Sequence, residues 1–117
     1  MSEVRAILKS FTDGIGELSK SNGNIVKAFM NLQNVTYGGG VIPLKYKELM
    51  SVAIGVYNRC KYCIVYHVYK AYEAGATKEE ILEAAMVSAN GFGAGPSLAY
   101  SSTLLLDAVN EFENEFK

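Results

Sequence analysis

Residues 60–67 read CKYCIVYH: two cysteines three positions apart, then the only histidine of the chain four positions after the second. Three chemistries suit these residue types: a metal clamp, a reversible dithiol–disulfide pair with its own base, or two core thiols beside an unconnected imidazole. A helix advances about 1.5 Å and 100° per residue, so Cys63 and His67 are i,i+4 neighbours with Cβ atoms about 5–6 Å apart. An imidazole at that distance can take the thiol proton, directly or through one water. Cys60 lies one turn earlier, where free backbone N–H groups and the positive end of the helix dipole favour a thiolate. Two thiols at i,i+3 can reach disulfide geometry when the first sits at a helix terminus.

A histidine that works as a base needs an orienting partner, and Glu48 is the candidate. If the chain reverses near Asn58–Arg59, Glu48 and His67 fall at heights that differ by less than one helical turn. Gly55 lies on roughly the same face and would let the two helices approach. The competing reading makes Glu48 a solvated surface acid. Cys60, Cys63, His67 and Glu48 could also complete a zinc tetrahedron, although a helical CxxC suits it less well than a knuckle and the chain has no second CxxC. The plainest alternative is a helical interaction module with inert buried thiols.

Such a constellation must be carried by helices, and the sequence supplies them. At 117 residues the chain is read as one domain spanning 1–117. Half of it is hydrophobic, and a net charge of −1 gives no electrostatic case for nucleic acid or an acidic membrane. The N-terminal stretch carries Glu3, Arg5 and Lys9 and lacks the pattern of a signal peptide. No apolar run is long enough for a transmembrane helix. The expectation is a cytoplasmic protein, where a close cysteine pair is catalytic or metal-binding before it is structural.

Between glycine marks the apolar spacing is helical throughout, which predicts an all-α bundle of six helices. The first covers roughly Glu3 to Ser19, interrupted by Gly14 and Gly16. The second runs from about Asn24, as its cap, to Val35. The third opens at Pro43 and continues to about Tyr57. The fourth spans about Cys60 to Ala74, with Gly75 as a left-handed stop. Thr77 and Glu80 form a capping-box pattern for the fifth, to about Asn90. Pro96 opens the sixth, whose stripe is Leu105, Ala108, Val109, Phe112 and Phe116. The fourth helix is apolar nearly all round, and six short helices can hardly cover one of their own, so the chain is expected to form homo-oligomers; the alternative is a central helix wrapped entirely within the monomer. The tyrosines of that helix are read as core or subunit interface. The segment NGFGAGPS is read as a tight connection packed near the site.

The spacing Glu48, Cys60, Cys63, His67 resembles the core signature of the AhpD-like branch of the carboxymuconolactone decarboxylase family. The likeness extends from about Pro43 to Ala84 and includes the GATKEEI turn. This resemblance implies an all-helical, AhpD-like fold assembled as homotrimers or homohexamers, and thiol-dependent peroxidase or disulfide reductase chemistry without a bound cofactor or metal. By carry-over, Cys63 is the thiolate that attacks the peroxide, Cys60 resolves the sulfenic acid as a disulfide, and His67 with Glu48 relays protons. The implied reductant is an external dithiol, such as a lipoylated or thioredoxin-like protein. Tyr62 stands between the cysteines where the best-known peroxidase of the family has a histidine. A tyrosine there can hydrogen-bond but titrates near pH 10, so it shuttles protons less readily at neutrality. Decarboxylase members generally lack the cysteine pair, which argues against lactone decarboxylation.

Overall fold

The computed structural model describes residues 1–117. Ser2 caps α1 (Glu3–Ser21), its hydroxyl accepting the Arg5 backbone N–H at 3.1 Å. Gly14 and Gly16 do not interrupt this helix. A glycine costs a helix about 1 kcal/mol, but it removes no hydrogen bond and adds no clash, so a 19-residue amphipathic helix tolerates two. Asn22 closes α1 through its N–H to Leu18 O and opens α2 (Gly23–Tyr37), so Asn24 lies inside the first turn and does not cap it. The helix also runs past Val35 to Tyr37, which matters below.

Pro43 precedes α3 (Leu44–Tyr57). The turn to α4 (Lys61–Glu73) puts Arg59 in the left-handed region, φ 55°, and Gly75 ends α4 with φ 93°. Both halves of the expected capping box open α5 (Lys78–Val87): Thr77 Oγ1 accepts the Glu80 N–H at 3.1 Å, and Glu80 Oε1 accepts the Thr77 N–H at 2.9 Å. The helix ends at Val87, short of Asn90. The expected sixth helix is a single rod in three pieces, α6 (Ala94–Tyr100), a π-helical turn (Ser101–Leu105) and α7 (Leu106–Phe112). The fold is thus an all-helical bundle.

The core forms around α4. Ile64, Val65, Val68 and Ala71 are fully buried against Val52 and Val56 of α3, Ile81 and Ala85 of α5, and Leu105, Ala108, Val109 and Phe112. Tyr72 donates its hydroxyl to Val109 O at 2.9 Å, and burial pushes its pKa up to about 12, so the bond persists at any ordinary pH. Arg5 fastens α1 to the C-terminal rod, bonding Glu111 at 3.0 Å and Glu115 at 2.7 Å with its guanidinium over the Phe112 ring.

Three expectations about packing and surfaces change. The chain covers α4 itself, because the unbroken α1 lies along it with α3 and α7; only Lys61, Tyr62 and Glu73 of α4 are exposed. Exposed apolar side chains sit instead on α2 (Ile25, Leu32, Val35) and around the end of α3 (Ile54, Tyr57, with Val87 and Phe92). Phe116, expected in the buried stripe, is 40% exposed, because the last helix ends at Phe112. In the NGFGAGPS segment, Phe92 packs edge-on against Tyr57 in a groove with Ala53, Ile54 and Val87, separate from the one that holds Cys63. No helix is long and apolar enough to cross a membrane.

Candidate active site

The site begins with the close approach of α3 and α4. A Cβ on Gly55 would lie 3.3 Å from Cys63 Cβ and 3.4 Å from the Ile64 backbone nitrogen, so only glycine lets the helices settle at this distance without displacement. The turn is tied by the Cys60 N–H to Gly55 O at 3.1 Å. Cys60 therefore takes the N-cap position of α4, and its sulfur accepts the Cys63 backbone N–H at 3.3 Å. A donor so placed, at the positive end of the helix dipole, favours negative charge on sulfur. Cys60 and Cys63 are joined as a disulfide, with a Cα–Cα distance of 5.2 Å.

On the same pair of helices Glu48 meets His67. Glu48 is a buried acid, 3% exposed, and its Oε1 lies 2.7 Å from Nδ1 of His67. The alternative of a solvated surface acid is thereby excluded. A carboxylate has only acceptors, so Nδ1 carries the proton and donates it to this bond. In the neutral ring, Nε2 on the other side then carries the lone pair. The imidazole is bounded further by Tyr66, edge-on at 5.2 Å, and by Tyr37 of α2, stacked at 5.8 Å and 26°.

Cys63 and His67 both line a cavity of about 400 Å³. Its walls are Phe11, Thr12 and Ile15 of α1, Phe29, Met30 and Gln33 of α2, and Tyr62 and Tyr66 of α4. No charged side chain lines it. A second cavity, about 300 Å³, shares Met30, Gln33, Tyr66 and His67 with the first and adds the polar groups Asn34, Glu48, Lys70 and Glu73. The imidazole thus stands between an apolar chamber and a polar one. Burial pushes the Tyr66 phenol above its ordinary pKa, so it stays a neutral donor.

The structure brings together all four residues singled out in the sequence, with Glu48 on α3 and the other three at the start and along one side of α4. No three His, Cys, Asp or Glu side chains converge as a metal ligand set. The tyrosines of α4 divide: Tyr69 packs against Phe112 and Tyr72 is core, while Tyr62 and Tyr66 wall the cavity. The residues from α1 and α2 escaped the sequence reading. A stripe at i, i+4, i+7 and i+11, Val26, Met30, Gln33 and Tyr37, could have revealed the inward face of α2, but a helix ended at Val35 leaves Tyr37 outside it.

The sequence profile of the carboxymuconolactone decarboxylase family matches residues 24–102. The chain is 35% identical over 98 residues to the "uncharacterized protein 4 in cox locus" of Paracoccus denitrificans, covering 82% of this chain and 87% of that one. Over 52 residues it is 40% identical to the alkyl hydroperoxide reductase AhpD of Mycobacteroides abscessus, 44% of this chain and 30% of that protein. Among solved structures, a carboxymuconolactone decarboxylase family protein from Legionella pneumophila superposes with a TM-score of 0.90 at 29% identity, covering 97% of this chain and all (100%) of that one. The protein TM1620 of Thermotoga maritima superposes with a TM-score of 0.72 at 30% identity, covering 92% and 96%. The matched profile takes in Glu48, both cysteines and His67, and on it the chain belongs to the carboxymuconolactone decarboxylase family.

Proposed function

We propose that the protein is a thiol peroxidase and disulfide reductase that reduces organic hydroperoxides. The observation that carries this reading is a closed Cys60–Cys63 disulfide beside an imidazole held by a buried carboxylate, with Cys63 and that imidazole opening on one apolar cavity. In the reduced enzyme, Nε2 of His67 takes the Cys63 proton. The thiolate attacks the terminal oxygen of the hydroperoxide, forming the S–O bond as the O–O bond breaks. The departing alkoxide takes the proton from the imidazolium and leaves as an alcohol. Cys63 is now a sulfenic acid. The Cys60 sulfur attacks it, forming the disulfide and releasing water. An external dithiol, carried by a lipoylated or thioredoxin-like protein, then returns two electrons and two protons by thiol–disulfide exchange.

The working form is a homotrimer or homohexamer in the cytoplasm. A compact monomer of 12.7 kDa should expose about 6,200 Å², and this chain exposes 7048 Å². Part of that surface is apolar: Ile25, Leu32 and Val35 of α2 lie exposed, a face that a second subunit would cover.

Stopped-flow oxidation of the reduced protein by cumene hydroperoxide tests the chemistry. The wild type is expected to consume one equivalent and close the disulfide, Cys60→Ser to stop at a Cys63 sulfenic acid that a dione reagent traps, and Cys63→Ser to lose turnover. Full peroxide turnover by Cys63→Ser would overturn the assignment.

A further inference from the structure

We infer that Tyr37 is a positioning residue for the His67 imidazole, locking its tautomer and orientation from outside the α3–α4 hairpin; this rests on the proposed role of His67 as the base for Cys63. One hydrogen bond fixes one ring atom. Glu48 holds Nδ1 at 2.7 Å, but a turn of about 180° around the Cβ–Cγ bond would replace Nδ1 with a C–H and break the bond. Closing that route needs a surface against the ring face, and Tyr37 supplies it. Tyr66 blocks an edge from the same helix, while Lys70 and Glu73, paired with each other at 2.6 Å, are the other charged groups around the polar chamber.

A stacked ring positions its neighbour only if it is itself held, and Tyr37 is held at both ends. Ser51 Oγ donates to Lys47 O at 2.8 Å, so its oxygen is free to accept the Tyr37 hydroxyl, with which it is in contact. The backbone on either side is pinned by Lys47 Nζ, which donates to Thr36 O at 2.8 Å and to Gly38 O at 3.0 Å. Thr36 lies in the last turn of α2 and Gly38 is the residue just beyond it, where a cation also suits the helix dipole. The only buried residue of α2 is Val26, near its other end. The anchor at Thr36–Gly38 therefore does for this end of the helix what core packing does elsewhere, and its focus is the residue that covers the imidazole.

Because His67 is the only histidine, its ring ¹⁵N resonances in the reduced protein report the tautomer without ambiguity. The wild type is expected to show a single set with Nδ1 protonated. Tyr37→Leu should show exchange-broadened or averaged nitrogens, and alkylation of Cys63 by iodoacetamide should slow about tenfold at neutral pH, its pH midpoint moving up by about one unit. Tyr37→Phe keeps the ring and loses the Ser51 bond; it should retain the wild-type nitrogens with a smaller slowing, matched by Ser51→Ala. Wild-type nitrogens and an unchanged alkylation profile in folded Tyr37→Leu would overturn the assignment. If that variant does not fold, Tyr37→Phe and Ser51→Ala decide: slowing equal in each and no greater in the double variant upholds the tether, and none in either rejects it. These readouts use no peroxide, so a wild type inert toward peroxides would defeat the proposed reaction and leave the role of Tyr37 standing.

Discussion

The α3–α4 hairpin and α2 face each other across one cavity and are held by different means. The hairpin closes at Gly55, where an added Cβ would press on Cys63 and the Ile64 backbone, and buries Val52, Val56, Ile64, Val65 and Val68 completely. Interiors packed to that density transmit small displacements and resist large ones. All the groups that could do chemistry lie on it. By contrast α2 buries Val26 alone, leaves Ile25, Leu32 and Val35 to solvent, and is fixed by the polar anchor at its C-terminal end. It contributes walls: Phe29, Met30 and Gln33. Proton-transfer geometry has to be accurate to a fraction of an ångström, whereas an apolar wall only has to exclude water and fit.

The comparison breaks most directly in the core. Ile64 is fully buried, one residue after Cys63 and beside Gly55. Ile64→Ala should cost about 2–5 kcal/mol, read as a shift of the urea midpoint. The cavity it leaves should also loosen the Cys63 turn and slow its alkylation. A loss below about 1 kcal/mol would mean that the hairpin collapses into the space, and that its rigidity has been overstated.

A change on α2 should act differently. Leu32 is 61% exposed in the single chain. Leu32→Glu should leave the stability of a lone subunit within about 0.5 kcal/mol, yet it places a charge on an apolar face that a second subunit would cover. Sedimentation velocity is expected to show a trimer or hexamer for the wild type and smaller species for the variant. A wild type that sediments as a monomer at micromolar concentration removes the oligomer, and α2 would then be a wall open to water.

The same contrast separates what the sequence discloses from what it hides. The hairpin was legible because its constraints are local: Cys60, Cys63 and His67 share one helix, and counting residues back from the bend finds Glu48 at the right height. Gly55 was readable as the point of contact for the same reason. The capping box at Thr77 and the stop at Gly75 are likewise carried by three or four adjacent residues. The cavity walls were not legible, because Phe11, Gln33 and Tyr37 reach the site through tertiary packing that no short window encodes. The coverage of α4 was less legible: six short helices, the first interrupted at Gly14 and Gly16, look too few to wrap one of their own. Weak propensity in two positions lost to the amphipathic pattern of the whole helix, and that helix is what wraps α4.

The smallest effect concerns how α1, which supplies Phe11, Thr12 and Ile15 to the cavity and leads into α2, is itself held. Its first turn is tied to the C-terminal rod by Arg5 with Glu111 and Glu115. Hydrogen bonds from Arg5 hold both carboxyls below their ordinary pKa range. A group depressed in the folded state contributes stability that is complete above its unfolded pKa and is lost as pH falls through the folded value. The guanidinium keeps its charge throughout, so the carboxylates alone set the window. The difference in urea midpoint between wild type and Arg5→Gln should be constant from about pH 6 to 8 and shrink below about pH 4. Added salt should reduce it at neutral pH, because the pairs are partly exposed. Arg5 also lies over the Phe112 ring at 5.1 Å. A difference that survives acid undiminished would assign the contribution of Arg5 to that contact, and α1 would then be fastened to the rod by packing, as the hairpin is, and not by charge, as the C-terminal end of α2 is.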